Sequence, residues 1–370
     1  MKFRIFQRFY QLLCKPIFFL INPEIMHDLF GRFGHWLWTY KLTRSLTRRM
    51  FFWTHPALHQ SLFGLSFQQP VWLAAWFDKD ILLPNIIWAV WFWFASVGSI
   101  TAQPYAWNPW KKLFRLKQSS WLIVYYWLKN KWVSYACNQL KQYHHCTVPL
   151  AVSIAKTNCH ATTDPDVWTQ DYMETLTRCI HEWVGDIYEI NISCPNSFGW
   201  EDFTHPRLLE WLLQEINTLH CTKPIVLKLP VDLDRDNLKP LLEIAKHYHI
   251  NGVIISNLTK DRTWLQEKNT IEDIPWWVSG KILTDRSNYL IWETYKHYGD
   301  DFVIIWVWGI FTAQDAYKKI KQGASLLQLI TGMIFAWPQR IAQIHQWIVK
   351  LLHQDWYTHI SQAIWAAHRG

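Results

Sequence analysis

Several side chains able to do chemistry fall at or just beyond the ends of short apolar runs. Asp78 and Lys79 follow the run Val71 to Trp76, and Ser99 and Thr101 close the run Phe94 to Thr101. Asn191, Cys194 and Asn196 cluster at the end of Ile187 to Ser193, Lys228 lies in Pro224 to Pro230, and Asn257 ends Gly252 to Asn257. A thiol has an ordinary pKa of about 8.5 and needs only modest tuning to exchange a proton near neutrality. Each carboxamide offers one acceptor and two donors, and each lysine a positive charge for an anionic group. One such residue alone is ordinarily a solvated loop residue. Amides, lysines and a thiol at five run ends describe a site.

The elements that must position them repeat. Runs rich in Val, Ile and Leu alternate with longer amphipathic segments, the pattern of βα units. Besides the five runs above, Leu150 to Ala155, Phe302 to Gly309 and Leu326 to Thr331 read as strands, and Asp166 to Trp183, Pro206 to His220, Asn237 to His247 and Thr312 to Lys321 as helices. Near-continuous apolar strands with helical crossovers make a parallel sheet, and eight such units close into an α/β (β/α)8 TIM barrel. The C-terminal ends of its strands form the face open to ligands, where the polar residues fall. A chain of 370 residues, 50% hydrophobic, suits one barrel at 66–370 with an extension at 1–65.

The extension lacks an apolar run long enough to span a bilayer, because Arg8, Gln11, Lys15 and Pro16 interrupt it. Nor does it read as a signal peptide. Phe6, Phe9, Tyr10, Leu13, Phe18, Leu20 and Ile21 mixed with Arg4, Arg8 and Lys15 suit an amphipathic helix in a membrane interface, or one packed on the barrel's own surface. The net charge of +8 is scattered, with no basic block interleaved with aromatics, which favours an anionic membrane surface over nucleic acid. Seven cysteines without a CxxC pair point to a reducing compartment rather than a disulfide framework. Cys137, His144, His145, Cys146, Cys159 and His160 match no common zinc spacing, so no metal is expected.

The segments Trp72-Leu-Ala-Ala-Trp76-Phe-Asp-Lys79-Asp, Asn191-Ile-Ser-Cys194-Pro-Asn196 and Gly323-Ala-Ser-Leu-Leu-Gln-Leu-Ile-Thr331-Gly332 resemble dihydroorotate dehydrogenases. Asn22-Pro-Glu-Ile-Met-His27, Leu113-Phe-Arg115-Leu, Val278-Ser-Gly280-Lys-Ile-Leu and Trp306-Val-Trp308-Gly309-Ile310 extend the resemblance over nearly the whole chain. Dihydropyrimidine dehydrogenases and dihydrouridine synthases share a flavin barrel but not the extension. The resemblance implies oxidation of dihydroorotate to orotate with FMN as cofactor, a quinone as electron acceptor, and a peripheral position on the cytoplasmic side of the cell membrane. The oligomeric state is left open.

By the same resemblance Cys194 is the catalytic base, and Lys79, Asn191, Asn196 and Asn257 hold the substrate, their amides suiting the C=O and N–H edge of a pyrimidine. Ala75, Trp76, Lys79, Ser99, Ser153, Asn191, Lys228, Ser256, Gly280, Gly309, Thr331 and Gly332 align with flavin contacts, and His27 and Arg115 with the quinone path. Quinone-reducing relatives generally carry Ser at the base position and soluble ones Cys, so a soluble-type enzyme with another acceptor is the alternative. Val124, Ser153, Leu258 and Ile330 replace a family Asn, Asn, Thr and Tyr near substrate, flavin, substrate and quinone respectively.

One compositional feature stands apart. The chain has 27 Trp and only 13 Gly, although Gly is ordinarily about 7% of residues. Trp72, Trp76, Trp127, Trp276, Trp277, Trp306, Trp308 and Trp337 all fall at family glycines. A codon UGA written as Trp and read by the organism as Gly explains this. If the Trp are genuine, Trp76 and Trp306 are expected to crowd the flavin and its phosphate, and the reading becomes a non-catalytic, membrane-peripheral binding protein.

Overall fold

The computed structural model describes residues 2–87, 92, 94–105, 112–125, 128–143, 148–194, 205–259, 277–336 and 339–368, without the side chains of 2–4 and 282. Eight parallel strands close into a barrel: β1 Val71–Leu73, β2 Ala95–Ile100, β3 Leu150–Ile154, β4 Ile187–Asn191, β5 Ile225–Leu229, β6 Gly252–Ile255, β7 Val303–Val307 and β8 Leu326–Leu329. Each lies inside a run anticipated above. The four anticipated helices appear as Pro165–His181, Pro206–Thr218, Arg235–His247 and Ala313–Lys321. Their starts follow local chemistry: Asp164 and Asp234 cap two of them through backbone N–H groups, and Thr312 with Asp315 forms a reciprocal capping box.

Register fixes which residues face inward. Asn191 pairs with Lys228, and Lys228 with Ile254. Two residues below Asn191, the buried Glu189 bonds to Ser96 and to Gln328, whose Nε2 donates at 2.9 Å. A polar layer from β2, β4 and β8 thus lies beneath the mouth. At the other end Phe67, Trp72 and Phe94 plug the barrel, with the Trp72 and Phe94 rings only 3.4 Å apart between centroids. Aromatic pairs ordinarily sit about 4.5–7 Å apart, so this end is overfilled.

Residues before the barrel form helices at Lys2–Phe9, Lys15–Phe18, Pro23–Thr39 and Lys41–Phe51, then an antiparallel hairpin, Gln60–Leu62 with Leu65–Phe67. The division at 65/66 falls within that hairpin. The helices dock on the barrel: the Tyr10 hydroxyl donates to Ile334 O at 3.0 Å, and Gln11 Nε2 to Phe335 O at 3.1 Å. Arg115 donates to Phe18 O at 3.1 Å and to Ile21 O at 2.5 Å. No described helix is long and apolar enough to cross a membrane. A three-stranded antiparallel sheet, Leu113–Leu116, Trp121–Val124 and Trp277–Ser279, was not anticipated, because its strands are three or four residues long and the third is far from the other two in sequence.

Six of the seventeen described tryptophans, Trp76, Trp132, Trp183, Trp308, Trp356 and Trp365, have positive φ, between 56° and 89°. Only a few per cent of non-glycine residues adopt such angles, and bulky ones are outliers. At about 1–2 kcal/mol each, six such residues cost about 6–12 kcal/mol, comparable with the whole stability of a domain, about 5–15 kcal/mol.

Arg115 holds two carbonyls of the helical segment, so Arg115→Ala is expected to cost about 1.5 kcal/mol, at the lower end for bonds to a charged group because the side chain is only partly buried. Limited proteolysis should then cut within residues 2–51 faster while the barrel resists. Unchanged cleavage rates would show that the clamp is dispensable.

Candidate functional site

The polar residues at the strand ends form one connected array. Asn191, the last residue of β4, donates from Nδ2 to Ser99 Oγ at 2.9 Å, and Ser99 Oγ lies 2.9 Å from Ser153 Oγ. Asn257, just beyond β6, donates to Ser193 O at 2.7 Å and approaches Asn191 Oδ1 at 3.5 Å. Residues from β2, β3, β4 and β6 thereby share one hydrogen-bonded chain, all buried. Cys194 follows Ser193 and is 3% exposed. Asn196 lies outside the described residues.

Two lysines flank this chain. Lys228, on β5, is fully buried, and its Nζ has no hydrogen-bond partner. Burial pushes its pKa below the ordinary lysine value, against the pull of Glu189 and Cys194. Lys79 is pushed down to about 7 by burial, with Cys194 its largest opposing charge. Both ammonium groups therefore lie within electrostatic reach of the Cys194 sulfur. Asp78 supports the loop after β1: its carboxylate accepts from Leu82 N at 2.8 Å and Leu83 N at 2.9 Å, and burial raises its pKa to about 6.

The remaining sequence candidates lie around the ends of β1, β6, β7 and β8 and after the strand Trp277–Ser279. Ser279 Oγ, one residue before Gly280, lies 3.1 Å from Thr331 Oγ1. A Cβ on Gly332 would meet the Ile310 carbonyl, and Gly309 has φ +69 with the Thr284 side chain against it, so both need glycine. Ala75 is buried beside Trp76. Ser256 Oγ, like Lys228 Nζ, is buried without a partner.

Sequence reading passed over Ser193 as a separate residue, Glu189 and Gln328 inside the barrel, and Tyr172, whose hydroxyl donates to Asn191 O at 2.8 Å. The signal for the middle pair was a polar residue inside an otherwise apolar strand. Of the zinc candidates, His144, His145 and Cys146 lie outside the described residues. Among the described residues no group of His, Cys, Asp or Glu could hold a metal, and six cysteines are free.

Two cavities lie on the side of the N-terminal helices. One, of about 450 Å³, is apolar and lies between those helices and the barrel; Tyr10, Met26, Phe30, Leu37 and Met333 line it, with His27 and Arg115 among its few polar residues. The other, of about 200 Å³, shares His27, Phe77 and Leu83 with it and is bounded by Asp78, Lys79, Asp80 and Lys129. His27 Nε2 lies 2.7 Å from Phe77 O, so the loop after β1 is the partition between cavity and barrel mouth. His27 and Arg115 thus line one cavity, which also reaches Met333 and Ile334 just after β8.

Residues 57–352 match the family model described as dihydroorotate dehydrogenase. The chain belongs to the dihydroorotate dehydrogenase family. It is 31% identical over 370 residues to a dihydroorotate dehydrogenase (quinone) of Nocardia farcinica, covering 98% of both chains. It is 34% identical over 317 residues to one of Crocosphaera subtropica, covering 83% of this chain and 82% of that one. A crystal structure of the Eimeria tenella enzyme in complex with ferulenol superposes with TM-score 0.80 at 24% identity, over 94% of this chain and 96% of that one, a likeness of fold.

Dihydroorotate dehydrogenases are flavin-dependent oxidoreductases. The unpartnered Lys228 Nζ and Ser256 Oγ, with the Ser99–Ser153–Asn191 chain, suit a planar ring rich in acceptors. The indoles at two strand ends do not. Trp308 Nε1 donates to Ser256 O at 3.0 Å, laying its ring across the end of β6, and the Trp76 ring is 5.7 Å from Lys79 Nζ with its own Nε1 buried and unpartnered. Trp306 is turned elsewhere than expected: Lys319 of the Ala313–Lys321 helix lies 3.6 Å over its ring, which places it against the outer helical layer.

Lys79, Lys228 and Lys319 all bind protons less tightly in the folded chain than in the unfolded one, because burial lowers each pKa. The unfolded state then holds more protons near neutrality, so stability rises with pH. The opposing shift of Asp78, whose pKa is raised to about 6, is nearly exhausted by about pH 7. Flavin-free protein should gain thermal stability between about pH 7 and 9, and Lys228→Met should raise the melting temperature at pH 7 and flatten the rise. A flat profile for the unmutated chain would contradict this.

Proposed function

We propose that this chain oxidises dihydroorotate to orotate, passing hydride to FMN and electrons onward to a quinone. The observation that carries the reading is the buried array of Ser99, Ser153, Asn191 and Asn257 at the strand ends, with an apolar cavity on the N-terminal side lined by Phe77 of the loop after β1. Flavin bound in the mouth supplies the hydride acceptor and the two-electron store. The chain's own residues do the rest.

Cys194 takes the proton from a substrate ring carbon, as its place among the amides and lysines suits. Asn191 and Asn257, with Asn196, present donors and acceptors to the pyrimidine edge, and Lys79 faces the substrate carboxylate. Lys228, whose buried Nζ has no hydrogen-bond partner, fits beside the flavin's acceptor-rich edge, where its protonated form answers negative charge on the reduced ring. Ser99, Ser153 and Ser256 complete the bed. Backbone near Gly280, Gly309, Thr331 and Gly332 suits the phosphate, since the ends of strands seven and eight commonly bind one.

Quinone enters the apolar cavity, where Arg115 and His27 offer polar contacts to its carbonyls. Residues 2–51 form the roof of that cavity and a membrane-contacting face: Leu12, Ile17, Leu20, Ile25, Leu29 and Trp36 are all about half or more exposed on these helices and their turns. An exposed apolar surface beside Arg8, Arg32 and Lys41 suits peripheral attachment to an anionic bilayer. Cys194 agrees with the soluble-type alternative; the apolar cavity favours quinone.

Cys194→Ala should lower turnover with dihydroorotate by about 10²- to 10⁴-fold while flavin absorbance is retained; wild-type turnover in the variant would remove Cys194 from the base role. Deleting residues 1–52 should abolish vesicle binding and quinone reduction and spare reduction of a small soluble dye. Equal quinone activity with and without the segment would favour the soluble-type reading.

A further inference from the structure

Six indoles sit on positive-φ backbone that favours glycine, spread over the molecule; Phe63, Ile81, Ser120, His220 and His249 share that region, but no other side chain is so concentrated there. Trp76 and Trp308 lie at the mouth, Trp132 immediately before the helix Val133–Lys141, Trp183 just after the helix Pro165–His181, and Trp356 and Trp365 in the C-terminal turns. Strained conformations persist where surrounding contacts over-determine them. Trp356 is 93% exposed and Trp183 66% exposed, so little packing holds either in place. Trp72 has an ordinary φ but shows the same misfit by volume. Its ring is pressed to 3.4 Å from Phe94, and its buried Nε1, like that of Trp76, has no partner. A buried Trp normally finds a partner for that N–H.

We infer that the polypeptide made by its own host carries glycine at positions 72, 76, 132, 183, 308, 356 and 365, one codon, UGA, being read there as glycine. A single reassignment accounts for every site. Independent mutations would each have had to place the largest residue on backbone suited to the smallest, and would have had to do so in a chain with 27 Trp and 13 Gly. Trp277 and Trp306 have no positive φ and rest on the resemblance alone, and Trp127, Trp276 and Trp337 lie outside the described residues. Four of the seven positions, 132, 183, 356 and 365, stand on backbone geometry with no reference to the proposed function. The two at the mouth deepen it: glycine at 76 and 308 removes both indoles from beside Lys79 and Ser256, opening the space a flavin needs.

Peptide mass spectrometry of the protein purified from its host decides the identity of these residues. Glycine at all seven positions, encoded by UGA, is the expected result; tryptophan at positions 132, 183, 356 and 365 in folded native protein overturns the inference. A second comparison keeps the two readings separable. The chain as written and a version carrying Trp72→Gly, Trp76→Gly, Trp132→Gly, Trp183→Gly, Trp308→Gly, Trp356→Gly and Trp365→Gly are expressed in a host that inserts the encoded residue, then tested by thermal melting and by FMN titration. The glycine version should melt cooperatively at a higher temperature and bind FMN stoichiometrically, whereas the chain as written should be insoluble or melt lower and stay colourless. No gain in melting temperature counts against the inference. Glycine in native peptides with a stabilised but FMN-free protein upholds the reassignment and sinks the flavin site.

Discussion

Strand β8 pairs with β1 at Leu327–Val71, Gln328–Trp72 and Leu329–Leu73, and this closure governs everything else in the molecule. A closed parallel barrel pairs its ladder groups all the way round and leaves no edge, so it can bury near-continuous apolar strands on both faces. It also brings the C-terminal ends of all eight strands to one rim. Asn191, Ser99, Ser153 and Asn257 come from four different strands, yet they form one hydrogen-bonded chain because the closed register allows no other arrangement of those ends. Below them Ser96, Glu189 and Gln328 give the interior a polar floor. Glu189 is raised by burial and Lys228 lowered by it, and each pulls the other partly back, so the interior holds opposite charges in electrostatic contact without a direct bond.

The loop that follows β1 divides two solvents. On its inner side are buried lysines, amides and a thiol; on its outer side is an apolar cavity roofed by the N-terminal helices. Asp78 stiffens the partition by capping the backbone at Leu82 and Leu83, and Trp76 N donates to Gly98 O at 2.9 Å to tie it to β2. His27 reaches across from the helices to Phe77 O. Such an arrangement keeps a polar reaction and an apolar electron acceptor a single loop apart, which is what the proposed chemistry requires. Arg115 belongs to the same design, since it lines the cavity while holding the carbonyls of the segment that covers it.

Backbone conformation and side-chain identity disagree at a small set of positions. The fold is maintained at Trp76, Trp132, Trp183, Trp308, Trp356 and Trp365 by angles suited to a residue without Cβ. Elsewhere the local choices agree with the fold: Asp164, Asp234 and Thr312 cap their helices, and Gly309 occupies a positive φ that needs it. Phe63, Ile81, Ser120, His220 and His249 share positive φ, but six of the seventeen described tryptophans do, and conflict so concentrated in one residue type points to an altered residue identity rather than an altered fold.

Strand positions, crossover helices and the barrel class were legible in the amino-acid order because apolar periodicity is local and eight repeats reinforce one another. Asn191, Cys194, Lys228 and Asn257 were legible as candidates because polar residues at apolar run ends stand out. The excess of Trp over Gly was visible in composition alone. What only the tertiary structure decided is everything that depends on distant segments meeting. It shows that Ser193 and Tyr172 complete the Asn191 array, that Trp306 turns to the outer helices, and that residues 113–116, 121–124 and 277–279 make one small sheet. It also supplies the φ angles that single out Trp132, Trp183, Trp356 and Trp365. The physical reason is one of range: hydrophobic periodicity and capping act within a few residues, whereas burial, side-chain direction and backbone strain are set by neighbours that only the closed barrel assembles.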